Sequence, residues 1–118
     1  MFQKVAFTLY PVQDVARARA FYEGTLGLEP GLVGDHGAMQ WIEYDLPGGG
    51  CFAISNASGD EPGTGGTIAF EVDDLEKVIA DLKAKAVEFK TEVIRGPACR
   101  MIVCMDSEGN SLLLHQHD

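Results

Sequence analysis

Two histidines near the end of the chain, His115 and His117, have the spacing of residues on one face of a β-strand. Imidazole nitrogens are common metal ligands, so a His-x-His pair of this kind could bind a transition metal. The alternative, which we favour for a pair at a chain end, is an exposed pair with adventitious metal affinity. The third histidine, His36, is predicted to lie in a glycine-rich loop, and the sequence shows no partner residue for it.

Glu43 and Glu71 would face a cavity if the segments that carry them are strands. A carboxylate that is buried without a cation has a raised pKa, so Glu43 could act as a catalytic general base or anchor a cationic ligand. A solvated strand residue is the favoured alternative for both glutamates. Trp41, two residues before Glu43, could stack on a flat or cationic ligand, or fill the fold or an interface.

The composition limits the classes of partner. The chain has 118 residues and a formal net charge of -9, whereas nucleic-acid binding needs clustered Lys and Arg. No apolar run approaches membrane length, and the three cysteines form no C-x-x-C pair. We therefore expect a cytoplasmic protein with neither nucleic acid nor membrane as partner, and with free thiols at Cys51, Cys99 and Cys104.

The first half of the chain has the pattern of a strand, a helix and further strands. Residues 4–12 are rich in β-forming residues and predict a strand. Asp14 is a good N-cap for a helix whose apolar stripe runs from Val15 to Leu26, and Gly24 and Gly27 both suit its end. Residues 39–54 predict a hairpin around a glycine-rich turn.

The second half repeats this order. Residues 66–72 predict a strand, and Asp73 or Asp74 would cap the helix that follows. Three more strands are predicted, over residues 88–94, 99–105 and 111–116. A shift of 60 residues places Asp14 on Asp74, and apolar positions fall on apolar positions along both helices. Such self-similarity predicts one βαβββ unit that is used twice.

Two units of this kind could line a shared cup with the sheet faces that their helices leave free. Because alternate strand residues share a face, we expect these faces to carry a defined set of side chains. The set comprises Phe7, Leu9, Trp41, Glu43, Thr67, Ala69, Glu71, Leu113 and His115.

Two segments, "FTLYPVQDVARARAFYEGTLGL" and "MDSEGNSLLLH", resemble signature segments of the vicinal oxygen chelate superfamily. That superfamily includes glyoxalase I, bleomycin-resistance proteins, fosfomycin-resistance enzymes and extradiol dioxygenases. The resemblance covers nearly the whole chain and implies a cup formed by two βαβββ units. It does not by itself imply one activity, because function depends on the site.

The resemblance also implies where a metal would bind. In metal-using members each unit supplies one ligand from its first strand and one from its last strand, as His or Glu. The corresponding residues here are Phe7 and Thr67, and Ala53 and Leu113, each pair 60 residues apart; Phe52 is the alternative to Ala53. Apart from the weak Thr67 hydroxyl, none offers a donor to a divalent metal. We therefore predict an apolar pocket without a metal.

Together these observations predict an α+β fold, a single glyoxalase-like domain over residues 1–118 with units of about 1–57 and 65–118. The expected function is metal-independent binding of a small hydrophobic or aromatic molecule, without a cofactor, by a homodimer. A glyoxalase- or dioxygenase-like enzyme with a displaced divalent metal site, built from Glu43, Glu71, His115 or a cysteine, is the alternative. The predicted ligand-binding residues are Phe7, Leu9, Trp41, Glu43, Ala53, Thr67, Met101, Leu113 and His115.

Overall fold

The computed structural model describes residues 1, 3–57 and 60–118, in two units, Met1–Gly65 (unit one) and Gly66–Asp118 (unit two). Unit one contains one helical segment and one sheet. The helical segment is α1 (Val15–Arg19), which continues as a π-helical turn (Ala20–Thr25). The strands are β1 (Thr8–Pro11), β2 (Pro30–His36), β3 (Met39–Asp45) and β4 (Cys51–Ser55). They are arranged in the order β1-β4-β3-β2, with β1 parallel to β4 and the other neighbours antiparallel.

Unit two has the same order of elements. Its helix is α2 (Leu75–Ala84), and its strands are β5 (Ile68–Glu71), β6 (Ile94–Arg95), β7 (Cys99–Met105) and β8 (Ser111–His117). The sheet order is β5-β8-β7-β6, again with a parallel pair formed by the first and last strands. The predicted α+β fold of two βαβββ units is therefore confirmed.

The strand register shows how closely the two units repeat. In β1 and β4, Leu9 pairs with Ala53, and in β5 and β8 the residues 60 positions later, Ala69 and Leu113, form the same pair. The antiparallel ladders follow the same shift, since the Trp41–Ser55 pair corresponds to the Met101–His115 pair. The repeat seen in the sequence is thus a repeat of hydrogen-bonded positions.

Each sheet buries one face, and in unit one an aromatic cluster fills it. Ile42, Tyr44, Phe52 and Ile54 have no exposed surface, while Trp41 and Glu43 between them are half-buried. Tyr22, from the π-helical turn, packs with its ring centroid 4.9 Å from that of Phe52. This alternation confirms the face assignment made from the sequence.

Unit two buries the corresponding face with aliphatic residues. The helix residues Leu75 and Leu82 are buried, as are Ile102, Leu112 and Leu114 of the sheet. Met101, Leu113 and His115, on the alternate positions, are half-buried. We refer to the second face of each sheet, opposite its helix, as the helix-free face.

The first strand is shorter than the predicted span of residues 4–12. β1 begins at Thr8, opposite Phe52, and its neighbour β4 begins one residue earlier in the register, at Cys51, directly after the glycine turn. Residues 4–6 therefore lie beyond the end of β4 and have no ladder to join. The same limit applies in unit two, where β5 begins at Ile68 opposite Leu112 instead of at residue 66.

The predicted strand over residues 88–94 is largely wrong. The chain pairs with β7 only at an isolated bridge, Phe89 with Cys104, and again at β6. Between them the Thr91 hydroxyl, and not a backbone carbonyl, accepts the hydrogen bond from the Val103 amide at 3.1 Å. A side chain that takes a ladder position in this way interrupts regular pairing.

The first helix differs from a regular amphipathic helix at its second half. The Leu26 amide donates to the Phe21 carbonyl at 2.9 Å, an i to i−5 bond that widens the helix into a π turn. Gly27 then adopts a φ of +76°, the left-handed conformation that suits a helix end. None of the described helices is long and apolar enough to span a membrane.

The N-cap of α2 gives a direct test of the repeat. The Asp74 carboxylate accepts a hydrogen bond from the Lys77 amide at 3.1 Å, as Asp14 does from Arg17 in unit one. We expect Asp74→Ala to lower the free energy of unfolding by about 0.5–2 kcal/mol, because one helix-terminal amide loses its partner. Asp73→Ala, at the exposed neighbouring residue, should change it far less. Urea unfolding of both variants measures this, and equal losses would contradict the cap assignment.

Candidate functional site

The helix-free face of unit one brings most of its predicted ligand-binding residues together. Leu9 of β1 pairs with Ala53 of β4, which pairs on its other side with Glu43 of β3. Trp41 lies two residues from Glu43 and therefore on the same face. Phe7 precedes β1, and its ring meets that of Trp41 edge to face, with centroids 5.2 Å apart and planes at 89°.

Glu43 orients the indole of Trp41. The Trp41 Nε1–H donates to Glu43 Oε2 at 2.8 Å, and the Cys51 thiol lies 3.8 Å from Glu43 Oε1. The Trp41 ring is therefore held from one side by a carboxylate and from another by the Phe7 ring. This arrangement gives an aromatic surface with one acidic group beside it.

The same carboxylate affects the chemistry of Cys51. Partial burial, followed by the negative charges of Glu43 and Asp45, raises the pKa of the Cys51 thiol. Burial likewise raises the pKa of Cys104 to about 11, and Cys104 lies in the core of unit two. Thiols with raised pKa values are poor nucleophiles at neutral pH, so these two cysteines do not have the properties of a reactive catalytic residue.

The four positions that the resemblance implies for metal ligands, Phe7, Ala53, Thr67 and Leu113, do not carry a set of metal donors in this chain. Phe7 is 41% exposed and Ala53 is fully buried, and neither has a donor atom. Leu113 is half-buried on the helix-free face of unit two, and Thr67 is exposed just before β5. One hydroxyl among four positions is not a donor set for zinc, iron or nickel, which prefer imidazole, carboxylate or thiolate.

The helix-free face of unit two carries predicted ligand-binding residues next to a cluster of polar side chains. Met101 of β7 pairs with His115 of β8, and His115 pairs on its other side with Glu71 of β5. Leu113, two residues before His115, pairs with Ala69. The face is therefore apolar at Met101 and Leu113 and polar toward the end of β8.

Glu71, His115 and His117 form the polar group, which we call the His–Glu cluster. Glu71 Oε1 lies 2.6 Å from His115 Nδ1 and 3.7 Å from His117 Nε2, and Glu71 Oε2 accepts from the His117 backbone amide at 2.9 Å. The His115 hydrogen bond, and then that of the His117 amide, hold the pKa of Glu71 below its usual range.

The sequence analysis named Glu71 and His115 among the candidates for a displaced metal site and treated His115 and His117 as a pair, but it did not predict that all three meet. The signal was nevertheless present. In parallel strands a fixed register is maintained along the pair, so if Ala69 faces Leu113, Glu71 must face His115 two residues later.

A surface depression of about 550 Å³ lies elsewhere in unit one, at the start of α1 and the turn between β2 and β3. None of its lining residues belongs to the predicted ligand-binding set. They are Gln13, Asp14, Val15, Ala16, Gly37, Ala38, Gln40 and Asn56. Half of these residues are polar and none is aromatic, so the depression offers a flat apolar ligand no ring to stack on, in contrast to the Phe7–Trp41 surface.

Comparison with known proteins identifies the family of the sequence. Residues 4–114 match the model of the glyoxalase/bleomycin resistance protein/dioxygenase superfamily. Among curated proteins no sequence matches this chain significantly.

Several solved structures share the fold at low sequence identity. TnmS3, an antibiotic binding protein from Streptomyces sp. CB03234, is 21% identical with a TM-score of 0.85, and the match covers 99% of this chain and 98% of that one. A superfamily member from Sphaerobacter thermophilus DSM 20745 is 23% identical with a TM-score of 0.83, covering 98% of each chain. The fosfomycin resistance protein FosX from Listeria monocytogenes is 21% identical with a TM-score of 0.78, covering 100% of this chain and 96% of that one.

The contact between Glu43 and Cys51 predicts the reactivity of the thiol. Glu43→Gln removes a negative charge beside Cys51 but keeps an acceptor for the Trp41 indole, so the pKa of Cys51 should fall and its alkylation by iodoacetamide at pH 8 should accelerate. Peptide mass spectrometry at several times measures the rate for each cysteine separately. Asp35→Asn, which neutralises a carboxylate near the far end of β2, is the control and should leave the Cys51 rate unchanged. An unchanged rate in Glu43→Gln would contradict the electrostatic explanation.

Proposed function

Because the chain belongs to the glyoxalase/bleomycin resistance protein/dioxygenase superfamily, we propose that it binds a small hydrophobic or aromatic molecule and does so without a metal. The observation that carries this proposal is the Phe7–Trp41 pair on the helix-free face of unit one. Phe7 occupies one of the positions at which metal-using relatives have a metal ligand, and together with Trp41 it forms an aromatic surface there.

The Phe7–Trp41 surface has the properties of a recognition site for a flat apolar ligand. Phe7 is 41% exposed and Trp41 is half-buried, so both rings retain surface that a ligand would cover. Two rings that meet edge to face leave the face of one ring free to stack on a third. The Glu43 carboxylate fixes the indole and so reduces the entropy that ligand binding would otherwise cost.

Glu43 gives the surface a polar preference as well. Its carboxylate lies beside the aromatic rings and would favour a ligand that carries a cationic or hydrogen-bond-donating group. We assign it this anchoring role and regard it as a weak candidate for a catalytic base, because one of its oxygens already accepts from Trp41. Within unit one the other proposed ligand contacts are Leu9 and Ala53, with Ala53 contributing as a small buried neighbour. For unit two, taken by itself, the proposed contacts are Thr67, Met101, Leu113 and His115.

The similarity of fold to TnmS3, an antibiotic binding protein, supports a binding role without naming the ligand. We further propose that the protein acts in the cytoplasm as a homodimer. Native mass spectrometry of untagged protein reports the oligomer and any bound organic mass together.

A metal-dependent glyoxalase- or dioxygenase-like enzyme is the second candidate. The observation that favours it is the His–Glu cluster, which supplies ligand types that the four family positions do not have. Turnover of methylglyoxal or of a catechol by metal-loaded protein would support this candidate. The absence of turnover in fully loaded protein would remove it.

Binding to the Phe7–Trp41 surface can be measured with a neutral aromatic probe, N-phenyl-1-naphthylamine, which the net charge of -9 does not repel. We expect the probe to quench the emission of Trp41, the single tryptophan of the chain. Trp41→Ala should weaken probe binding, followed by the probe's own fluorescence, by about three-fold to ten-fold, the value of one aromatic contact.

Two controls make this test specific. Val93→Ala, at an exposed apolar residue of unit two, should leave probe affinity unchanged. EDTA should also leave it unchanged, because the proposed binding uses no metal. Loss of binding in EDTA would contradict the metal-independent proposal, and full affinity in Trp41→Ala would contradict the assigned surface.

A further inference from the structure

The His–Glu cluster has the composition and spacing of a metal site, and it lies within unit two. Its three potential ligand atoms, one from each of Glu71, His115 and His117, all lie within 4.8 Å of one another. The side chains are accessible, with 50%, 23% and 75% of their surfaces exposed, respectively. A metal bound there would therefore have space for water in its remaining coordination positions.

The register of the strands sets this geometry. The β5–β8 pair places Glu71 opposite His115, and the alternation along β8 returns His117 to the same face. The rings of His115 and His117 stand edge to face with centroids 4.8 Å apart. Three side chains thus converge from two hydrogen-bonded strands and not from mobile loops, which is the support that a metal site needs.

The fold itself does not require these residue types. Of the positions 60 residues earlier, Pro11 and Ser55 form the same parallel pair in unit one, whereas Ala57 lies beyond β4, which ends at Ser55. There the Ser55 hydroxyl donates to the Gln40 carbonyl at 2.8 Å, and Pro11 and Ala57 offer no ligand atom. The strand pair that carries Glu71 and His115 is therefore built without ligand residues in unit one, and only β8 continues far enough to include the residue corresponding to His117.

The donor types indicate which metals would bind. Two imidazole nitrogens and one carboxylate oxygen suit zinc and other divalent first-row transition metals, whereas magnesium and calcium prefer all-oxygen sites. Three protein ligands with open positions are also the composition of many catalytic zinc and non-haem iron sites.

Coordination would require side-chain movements on the order of 1–2 Å. The largest would bring the two imidazole nitrogens together, which lie within 4.8 Å of each other. Metal bonds of about 2.0–2.1 Å separate neighbouring ligand atoms by roughly 3–3.4 Å. The 2.6 Å contact from Glu71 to His115 would lengthen, and the 3.7 Å separation from Glu71 to His117 would shorten, each by less than about 1 Å. The bond from the His117 amide to Glu71 Oε2 would meanwhile hold the carboxylate in position, as outer-shell partners do in metal sites.

We propose that Glu71, His115 and His117 bind one divalent first-row transition metal ion, with water completing its coordination. This site is separate from the four family positions, since it uses none of Phe7, Ala53, Thr67 and Leu113. It also goes beyond the proposed ligand binding, which needs no metal. Metal uptake is accordingly tested with no organic ligand present.

The test uses the full chain without an affinity tag, stripped with EDTA and exchanged into metal-free buffer. Titration calorimetry with ZnCl₂ should show one Zn²⁺ bound per chain. Co²⁺ should give visible absorption bands that Zn²⁺ abolishes and that Mg²⁺ does not.

Three variants locate the binding. The chain has three histidines, so His36→Ala is a matched control for His117→Ala. We expect His36→Ala to bind like the original protein, and His117→Ala and Glu71→Gln each to bind at least roughly ten-fold more weakly. His117 is 75% exposed at the end of β8, so its removal should leave the fold intact, which circular dichroism checks.

The outcomes that overturn the proposal are distinct from those that overturn ligand binding. Absence of stoichiometric Zn²⁺ uptake overturns it, as does an equal loss of affinity in His36→Ala and His117→Ala. So does uptake that survives Glu71→Gln and His117→Ala combined. None of these results affects the probe experiment with Trp41, which compares binding with and without EDTA.

Discussion

The parallel pairing of the first and last strands is the constraint on which each unit depends. In unit one β1 lies against β4, and in unit two β5 lies against β8, with the same register after a shift of 60 residues. A parallel pair needs a crossover connection, which the helix and the intervening strands provide. Because the crossing helix covers one sheet face, the same alternation leaves the other face available for function. The strand register thus determines both which residues form the core, on the face that the helix covers, and which residues form the candidate sites, on the other face.

Much of this fold could be predicted from the sequence because it rests on periodicity. The buried residues Ile42, Tyr44, Ile102 and Leu114 alternate with the residues of the helix-free faces, as strand geometry requires. The failures occurred where a local interaction overrides the pattern. The Thr91 hydroxyl interrupts the pairing predicted over residues 88–94. A sequence window cannot show which neighbour a strand will have, so the late start of β1 was also missed.

In the candidate sites, too, local contacts could be predicted from the sequence and tertiary contacts could not. The contact of Trp41 with Glu43 is local, since residues two apart on a strand share a face, and the sequence places both on one surface. The contact of Phe7 with Trp41 is tertiary, because Phe7 lies outside the strand ladder and no spacing rule relates the two rings. The His–Glu cluster is intermediate. Its members were recognised from the sequence as candidate metal ligands, and only the β5–β8 register shows that Glu71 lies opposite His115.

The two units use one backbone plan with different side chains on their helix-free faces. Unit one has an aromatic pair with a carboxylate, and unit two has two imidazoles with a carboxylate at positions that unit one fills with Pro11, Ser55 and Ala57. The shared register of the first and last strands allows such divergence, because changing a residue on the helix-free face leaves the buried face and its packing free energy largely intact. Positions without ligand residues, such as Thr67 and Leu113, therefore do not prevent a donor set from arising two or four residues along the same strands. The proposed apolar recognition in unit one and the proposed metal binding in unit two are thus compatible within one chain and separable by experiment.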